Sequence, residues 1–383
     1  MREDRPDAGW SAPEATVLER AAATLDADRD GVLATVVGVA GSAYRRPGAK
    51  LLVEGDGHTG SVTAGCIEGR LRTLAATVLE TGTSQVERFD LTGDDEGWGA
   101  GLGCNGVVDV LLEPLDERHR PMLDGYLAGN DGLALTVVGG AGDELPVGSR
   151  WYATDGDLST VTGLPTWLRG SVAEAVEAVL AGGTAATVTI PGPDGDVEVF
   201  CDPVLAPPAL YLFGSGTDVD PVAELASRAD FRVTVVSFRG GRADESLFPH
   251  ADRVRVTNPT RLTEALAFDE DTYAVLMTHN LVDDRLALES LLDTPVPYIG
   301  LMGPHERFED LRAGVGNAEL DLTDADRERL YTPIGLDLGG GTPYQVATSI
   351  VAELLAVRNG RSADHLRTRE ASIHDRPDGT GVD

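Results

Sequence analysis

The sequence predicts an α/β protein in two unlike parts: an N-terminal α+β domain, then a C-terminal domain with a doubly wound parallel sheet. Three observations carry this expectation. Strand-like and helix-like segments alternate regularly beyond residue 207, but not before it. Three prolines crowd residues 202–208, where the pattern changes. A turn with two glycines, Gly214-Ser215-Gly216, leads from the first strand of the second part into its first helix. The predicted divisions are residues 1–206, residues 207–358 and a polar tail at 359–383.

The elements follow from spacing. Residues 13–28 carry Ala, Leu and Val at helical intervals, and Gly31 closes them. Residues 31–40 form a β-branched strand and 41–48 a turn-rich loop. Residues 50–54 and 61–63 read as a hairpin around Asp56-Gly57. A helix is expected from Gly65 to Glu80, and strands at 84–89 and 107–112 flank a glycine-rich loop at 97–106. Residues 117–127 look helical, whereas 133–139 and 184–190 look extended. The first part therefore calls for a mixed or antiparallel sheet, and no internal repeat is expected. In the second part strands fall at 209–213, 232–237, 273–278 and 298–301. Helices fall at 218–228, 282–291, after Pro304 and at 342–357.

Composition narrows the function classes. The 383 residues suffice for two or three domains with real cores. Acidic residues outnumber basic ones 63 to 31, a formal net charge of -32, while 42% of the chain is hydrophobic. Such a chain is a folded protein with a carboxylate-coated surface, suited to a high-salt cytoplasm, rather than a disordered acidic tail. Phosphate attraction by a basic patch is absent, which argues against general nucleic-acid binding. The N-terminus shows no signal pattern, and the longest apolar run, near 32–40, is far short of the roughly 20 residues needed to span a bilayer. Three cysteines make a disulfide framework unexpected and fit a reducing, cytoplasmic setting.

Gly214-Ser215-Gly216, between a strand and a helix, is the context of a Rossmann-type nucleotide loop, where glycine lets a pyrophosphate approach the backbone and the helix N-terminus. A tight structural turn would use the same residues. Two departures weaken an assignment to NAD. Val219 stands at the third glycine position, and the second strand ends in Ser237-Phe238-Arg239 without the ribose-binding carboxylate. Arg239 and Arg242 suit a phosphorylated ribose or another anionic nucleotide; a solvated basic loop is the alternative. Thr278, His279 and Asn280 fall at the carboxyl end of a strand, where open parallel sheets bind ligands, with Asp283 nearby. Gly303-Pro304 starts a further helix, as a second anion-binding terminus or as ordinary capping.

The first part holds two glycine-flanked cysteines. Cys66 lies in Ala64-Gly65-Cys66-Ile67-Glu68-Gly69 near a helix start, a position that favours the thiolate. Cys104 lies in the loop Gly103-Cys104-Asn105-Gly106. Cys201 follows an apolar strand and reads as packing. Two thiols without a nearby His pair make a poor zinc site, and no metal site is expected. Arg45, Arg46 and Lys50 lie within six positions in a chain otherwise short of cations, as an anion-holding loop would.

Together these segments resemble the XdhC/CoxI family of accessory factors for molybdenum hydroxylases of the xanthine dehydrogenase type. The resemblance rests on residues 41–50, 60–69 and 103–114, then on Gly214-Ser215-Gly216, Met277-Thr278-His279-Asn280, residues 298–303 and residues 333–339. It implies a factor that binds molybdenum cofactor (molybdopterin), assists its sulfuration by a sulfur donor and hands it to an apo-hydroxylase. On that reading Cys66, Cys104 and His279 do the chemistry. Arg45, Arg46, Lys50, Gly65, Glu68, Gly214, Ser215, Gly216, Ser237, Arg239 and Thr278 hold the cofactor. Asn105 replaces a usual glycine, Ser237-Phe238 a usual acidic pair, and Gln345 a common Glu. The rival expectation is an NAD(P)-dependent oxidoreductase with His279 as proton donor. Exposed glycine-rich loops also make a homodimer a further expectation.

Overall fold

The computed structural model of the chain describes residues 9–92, 106–140, 144–239, 244–313 and 319–368. The chain divides into two compact units, Met1–Ala206 and Pro207–Asp383.

The first unit opens with α1 (Glu14–Asp26), β1 (Val32–Gly41), β2 (Lys50–Glu54), β3 (Gly57–Gly60), α2 (Glu68–Thr81), β4 (Gln85–Asp90) and β5 (Gly106–Pro114). These strands form one antiparallel sheet in the order β3-β2-β1-β5-β4. The chain continues through α3 (Arg120–Ala128), β6 (Gly132–Gly140), β7 (Arg150–Thr154), α4 (Thr166–Gly182), β8 (Ala186–Gly192) and β9 (Gly195–Val204). A second antiparallel sheet results, in the order β7-β6-β9-β8.

The expectation of no internal repeat is corrected here. β2-β1-β5-β4 and β7-β6-β9-β8 are the same arrangement, each preceded by one helix and interrupted by one helix. The likeness reaches single residues. β1 slips register between Val36 and Gly38, and β6 between Val137 and Gly139. Gly48 N donates to Val36 O and Gly148 N to Val137 O, each at 2.9 Å. Both glycines have left-handed φ, +96° and +88°. In the sequence the repeat survives mainly as residues 31–39 (GVLATVVGV) against 132–140 (GLALTVVGG).

Apolar burial explains the layering. α2 covers one sheet through Leu71, Ala75 and Val78, and α4 covers the other through Leu168, Val172 and Val176. Between the halves, Val37 and Leu111 pack with Val138 and Phe200, and α1 packs with α3 around Leu33, Leu52 and Ala134.

Two buried cations tie the halves together crosswise. Lys50 and Arg150 occupy equivalent places, paired in register with Thr35 and Thr136. The Lys50 ammonium, 3% exposed, lies 2.8 Å from Asp202 on β9 and 3.1 Å from Glu14 on α1. Arg150 in turn pairs with Glu113 on β5, beside the buried His119. Each half therefore supplies the cation that neutralises the other half's buried carboxylate. Burial alone would lower the Lys50 pKa, but Asp202 and Glu14 outweigh it and raise the value. Burial likewise works to raise Glu113, yet Arg150 and His119 carry it below the usual carboxylate range. Asp202 moves the other way: burial raises its carboxyl, and Lys50 offsets only part of that.

The second unit runs β10 (Ala209–Phe213), α5 (Val219–Arg228), β11 (Arg232–Ser237), β12 (Arg253–Val256), α6 (Leu262–Ala265), β13 (Thr272–Leu276) and α7 (Leu281–Leu292). It ends with β14 (Tyr298–Leu301), α8 (His305–Ala313), α9 (Asp324–Glu328), β15 (Leu330–Tyr331) and α10 (Pro343–Arg358). Its six strands are all parallel, in the order β12-β11-β10-β13-β14-β15. α5 and α10 bury one face of the sheet, and α7 and α8 bury the other. This is the doubly wound sheet the alternation predicts. The strand order reverses between β10 and β13, and ligands of such sheets bind at the carboxyl ends beside that point. No described helix is long and apolar enough to cross a membrane.

Candidate functional site

In the first unit the loop between β3 and α2 carries Cys66. Its entry needs glycine: a Cβ on Gly60 (φ +91°) would lie 2.5 Å from the Lys50 carbonyl. Beyond it, Glu68 folds back from the first turn of α2 and is buried. Its carboxylate accepts from Thr63 N at 3.1 Å, from Thr63 Oγ1 at 2.8 Å and from Ile67 N at 3.1 Å. Thr63 Oγ1 also accepts from Gly65 N at 3.3 Å. One buried carboxylate thus closes the loop and leaves Ala64 and Gly65 exposed with Cys66 half-buried at its crest. Glu68 shapes the loop and gives the loop's backbone its acceptors. The helix begins three residues later than the sequence suggests, so Cys66 lies just ahead of the cap residue Ile67.

The cation loop lies between β1 and β2. Arg45 and Arg46 are half-buried and have no carboxylate partner among the described residues, and Arg46 Nε is buried without any hydrogen bond. Lys50 requires a correction. The sequence groups it with this anion-holding set, but its ammonium is sealed in the interior between Asp202 and Glu14. Trp10, which sequence reasoning passes over, links the two loops. Its Nε1 donates to Thr63 O at 3.0 Å, and its ring lies 5.9 Å from that of Tyr44. Cys104 lies outside the described residues. Cys201 is fully buried, and burial pushes its thiol up to about 12, as a packing residue would have it.

In the second unit the carboxyl ends of the strands gather Gly214, Ser215, Gly216, Ser237, Arg239, Thr278 and His279. A Cβ on Gly214 would meet the Met277 carbonyl at 2.6 Å, so this glycine is required by the sheet itself. At Gly216 a Cβ would meet chiefly the movable Asp218 side chain. His279 adopts φ +58°, a left-handed conformation that is costly for most residues with a side chain. Its Nε2 lies 2.8 Å from Asp218 Oδ2. The expected neighbour, Asp283, is instead paired with Arg239 at 3.0 Å. Thr278 Oγ1 donates to the buried Asp284 at 2.6 Å, and Arg307 reaches the other oxygen of that carboxylate at 2.6 Å. Asn280 caps α7, accepting from Val282 N and Asp283 N, each at 3.0 Å.

Sequence reasoning does not single out Asp218 or Asp284, although both sit at the starts of helices that follow the motif strands. Ser237 is fully buried, and its hydroxyl both donates to Arg239 O and accepts from Arg239 N, at 2.9 and 3.2 Å. It is therefore occupied by its own turn. Arg242 lies outside the described residues. Gln345 does the work expected of Glu: its Oε1 accepts from Gly341 N and Thr342 N at 3.0 and 3.1 Å, closing a capping box on α10.

Residues 210–354 match the family model described as the XdhC Rossmann domain, and residues 24–90 match that of the XdhC and CoxI family. The chain belongs to the XdhC and CoxI family. Among XdhC relatives, a Bacillus subtilis protein named as a probable xanthine dehydrogenase subunit is 29% identical, over 88% of this chain and 96% of its own length. The molybdenum cofactor insertion chaperone PaoD of Escherichia coli is 23% identical, over 94% and 95% of the two chains. A Bacillus halodurans protein with a crystal structure, described as a xanthine dehydrogenase, superimposes with a TM-score of 0.71 at 28% identity, covering 91% of this chain and 96% of that one. The XdhC match thus spans the repeat-built unit and the parallel-sheet unit alike.

Proposed function

We propose that this XdhC-family protein is an accessory factor that binds molybdenum cofactor as cargo, assists its sulfuration and delivers it to an apo-hydroxylase of the xanthine dehydrogenase type. The observation that carries the reading is the Cys66 loop. A half-buried thiol is held out by a buried carboxylate, and the same indole that touches this loop also touches a loop with two guanidinium groups that have no carboxylate partner among the described residues. Soft sulfur and paired cations suit a thiolate-bound, phosphate-bearing pterin. The names of the relatives point the same way. In this reading Arg45 and Arg46 bind the phosphate, and Cys66 meets the metal or its incoming sulfur. The sulfur comes from a donor protein.

The NAD(P)-oxidoreductase reading is disfavoured by the Ser237 turn. Its hydroxyl is buried and engaged by Arg239, and Arg239 pairs with Asp283, so among the described residues the strand end offers no free carboxylate for a ribose 2′-hydroxyl. Co-expression with a molybdenum cofactor pathway, followed by mass spectrometry of the bound small molecule, tests the proposal. A molybdenum pterin approaching one per chain is expected. Recovery of NADP with hydride turnover and no pterin would overturn it.

A further inference from the structure

The repeat supplies an internal control for the cation loop. Ala49 N donates to Arg46 O at 3.1 Å, and Ser149 N donates to Pro146 O at 3.0 Å. Arg46 and Pro146 are therefore equivalent, and Tyr44-Arg45-Arg46 of the first half stands where the second half has Glu144-Leu145-Pro146. Both loops join their strands through the same glycine and the same carbonyl contacts, so the hairpin needs neither the aromatic ring nor the cations. Their presence in one copy calls for another explanation.

Exposure supplies it. Tyr44 is 56% exposed and Trp10 38%. The two rings are tilted 32° at 5.9 Å, and the Trp10 indole is fixed by its bond to Thr63 O. An exposed ring fixed by a hydrogen bond, a second exposed ring beside it, and cations that lack carboxylate partners among the described residues, in a chain with twice as many acids as bases, form a surface for a flat anion. Stacking on a pre-ordered ring loses little conformational entropy, and guanidinium groups bind phosphate or carboxylate in a directed way.

We infer that Trp10 and Tyr44 form a stacking platform for a planar heterocycle of the pterin class, and that Arg45 and Arg46 hold the anionic group it carries. This rests on the accessory-factor reading above and assigns its cargo's ring system to particular residues.

The test uses the full-length protein and pterin-6-carboxylate, a flat anion, with affinity read by fluorescence anisotropy of the pterin. Trp10→Leu and Tyr44→Leu are each expected to weaken binding about tenfold, while Tyr44→Phe keeps the ring and the affinity. Arg45→Gln with Arg46→Gln is expected to weaken binding of the carboxylate but not of uncharged pterin. Combining Tyr44→Glu, Arg45→Leu and Arg46→Pro copies the second half of the repeat; that variant is expected to fold with an unchanged Tm and to lose pterin binding. Affinity unchanged in both leucine variants, with the wild type still carrying molybdenum cofactor after co-expression, would overturn the platform and leave the accessory role standing. A wild type that takes up neither pterin nor cofactor would overturn both.

Discussion

Lys50→Met is expected to destabilise the N-terminal unit by about 3–5 kcal/mol, the usual result of removing one partner from a buried ion pair. The magnitude follows from what remains. Asp202 is buried, and without the ammonium at 2.8 Å its charge has no compensating partner of equal strength. The loss is read as a lower urea midpoint with an unchanged slope. Adding Asp202→Leu is expected to recover much of it, because an apolar pair of similar volume replaces the ion pair without leaving a buried charge. A single-variant loss below about 1 kcal/mol would show that the crossed pair does not hold the halves together. The pH dependence has a definite sign. Because the folded Lys50 pKa is raised above 10.5, its contribution is complete below that pH and is lost as pH rises through the folded value. Glu113 acts at the other end. Its folded pKa is lowered from 4.5, so its contribution is present above that value and disappears on acidification.

Glu68→Ala is expected to open the Cys66 loop at a cost of about 3 kcal/mol, the upper range for hydrogen bonds to a charged group. Three donors lose their acceptor at once: the Thr63 amide, the Thr63 hydroxyl and the Ile67 amide. Hydrogen exchange should show these two amides losing protection while those of β1 and β5 keep theirs. Glu68→Gln retains one acceptor oxygen and should fall between wild type and Ala. Delivery of cofactor should decline in the same order, since Cys66 is presented by this loop. Unchanged exchange at Thr63 and Ile67 in the Ala variant would contradict the role assigned to the carboxylate.

The parallel-sheet unit is legible in the sequence because its central strands are buried on both faces. Such strands read as short apolar runs bounded by proline and glycine, and β10, β11 and β14 fall where those runs fall. β12, with its alternating Arg253 and Arg255, is an edge strand without that signature and escapes a reading by apolar runs. The repeat is hidden for a different reason. Its two copies share backbone events, a register slip and a left-handed glycine, while the loops between them have diverged in the residues that bear chemistry.

Lys50 shows the limit of local reading. A lone lysine beside two arginines looks like part of an anion site, but its partners Glu14 and Asp202 are remote in sequence and become visible only with the fold. The sequence places His279 correctly at a strand end, yet it offers Asp283 as the nearby carboxylate. The actual partner is Asp218, which arrives from the glycine loop across the sheet's switch point. Trp10 has no periodic or motif context at all. Cys66 stands out because glycine on one side and glutamate on the other make a local pattern, and that pattern proves to be the loop closed by Glu68.

The most direct test of the accessory role is transfer. Protein purified with molybdenum cofactor is mixed with an apo-hydroxylase of the xanthine dehydrogenase type, and hydroxylase activity is followed against the amount of cofactor supplied. Restoration in proportion to the cofactor carried, well above that given by the same concentration of free cofactor and greatly reduced for Cys66→Ala, is the expected result. Activity no higher than with free cofactor would contradict it.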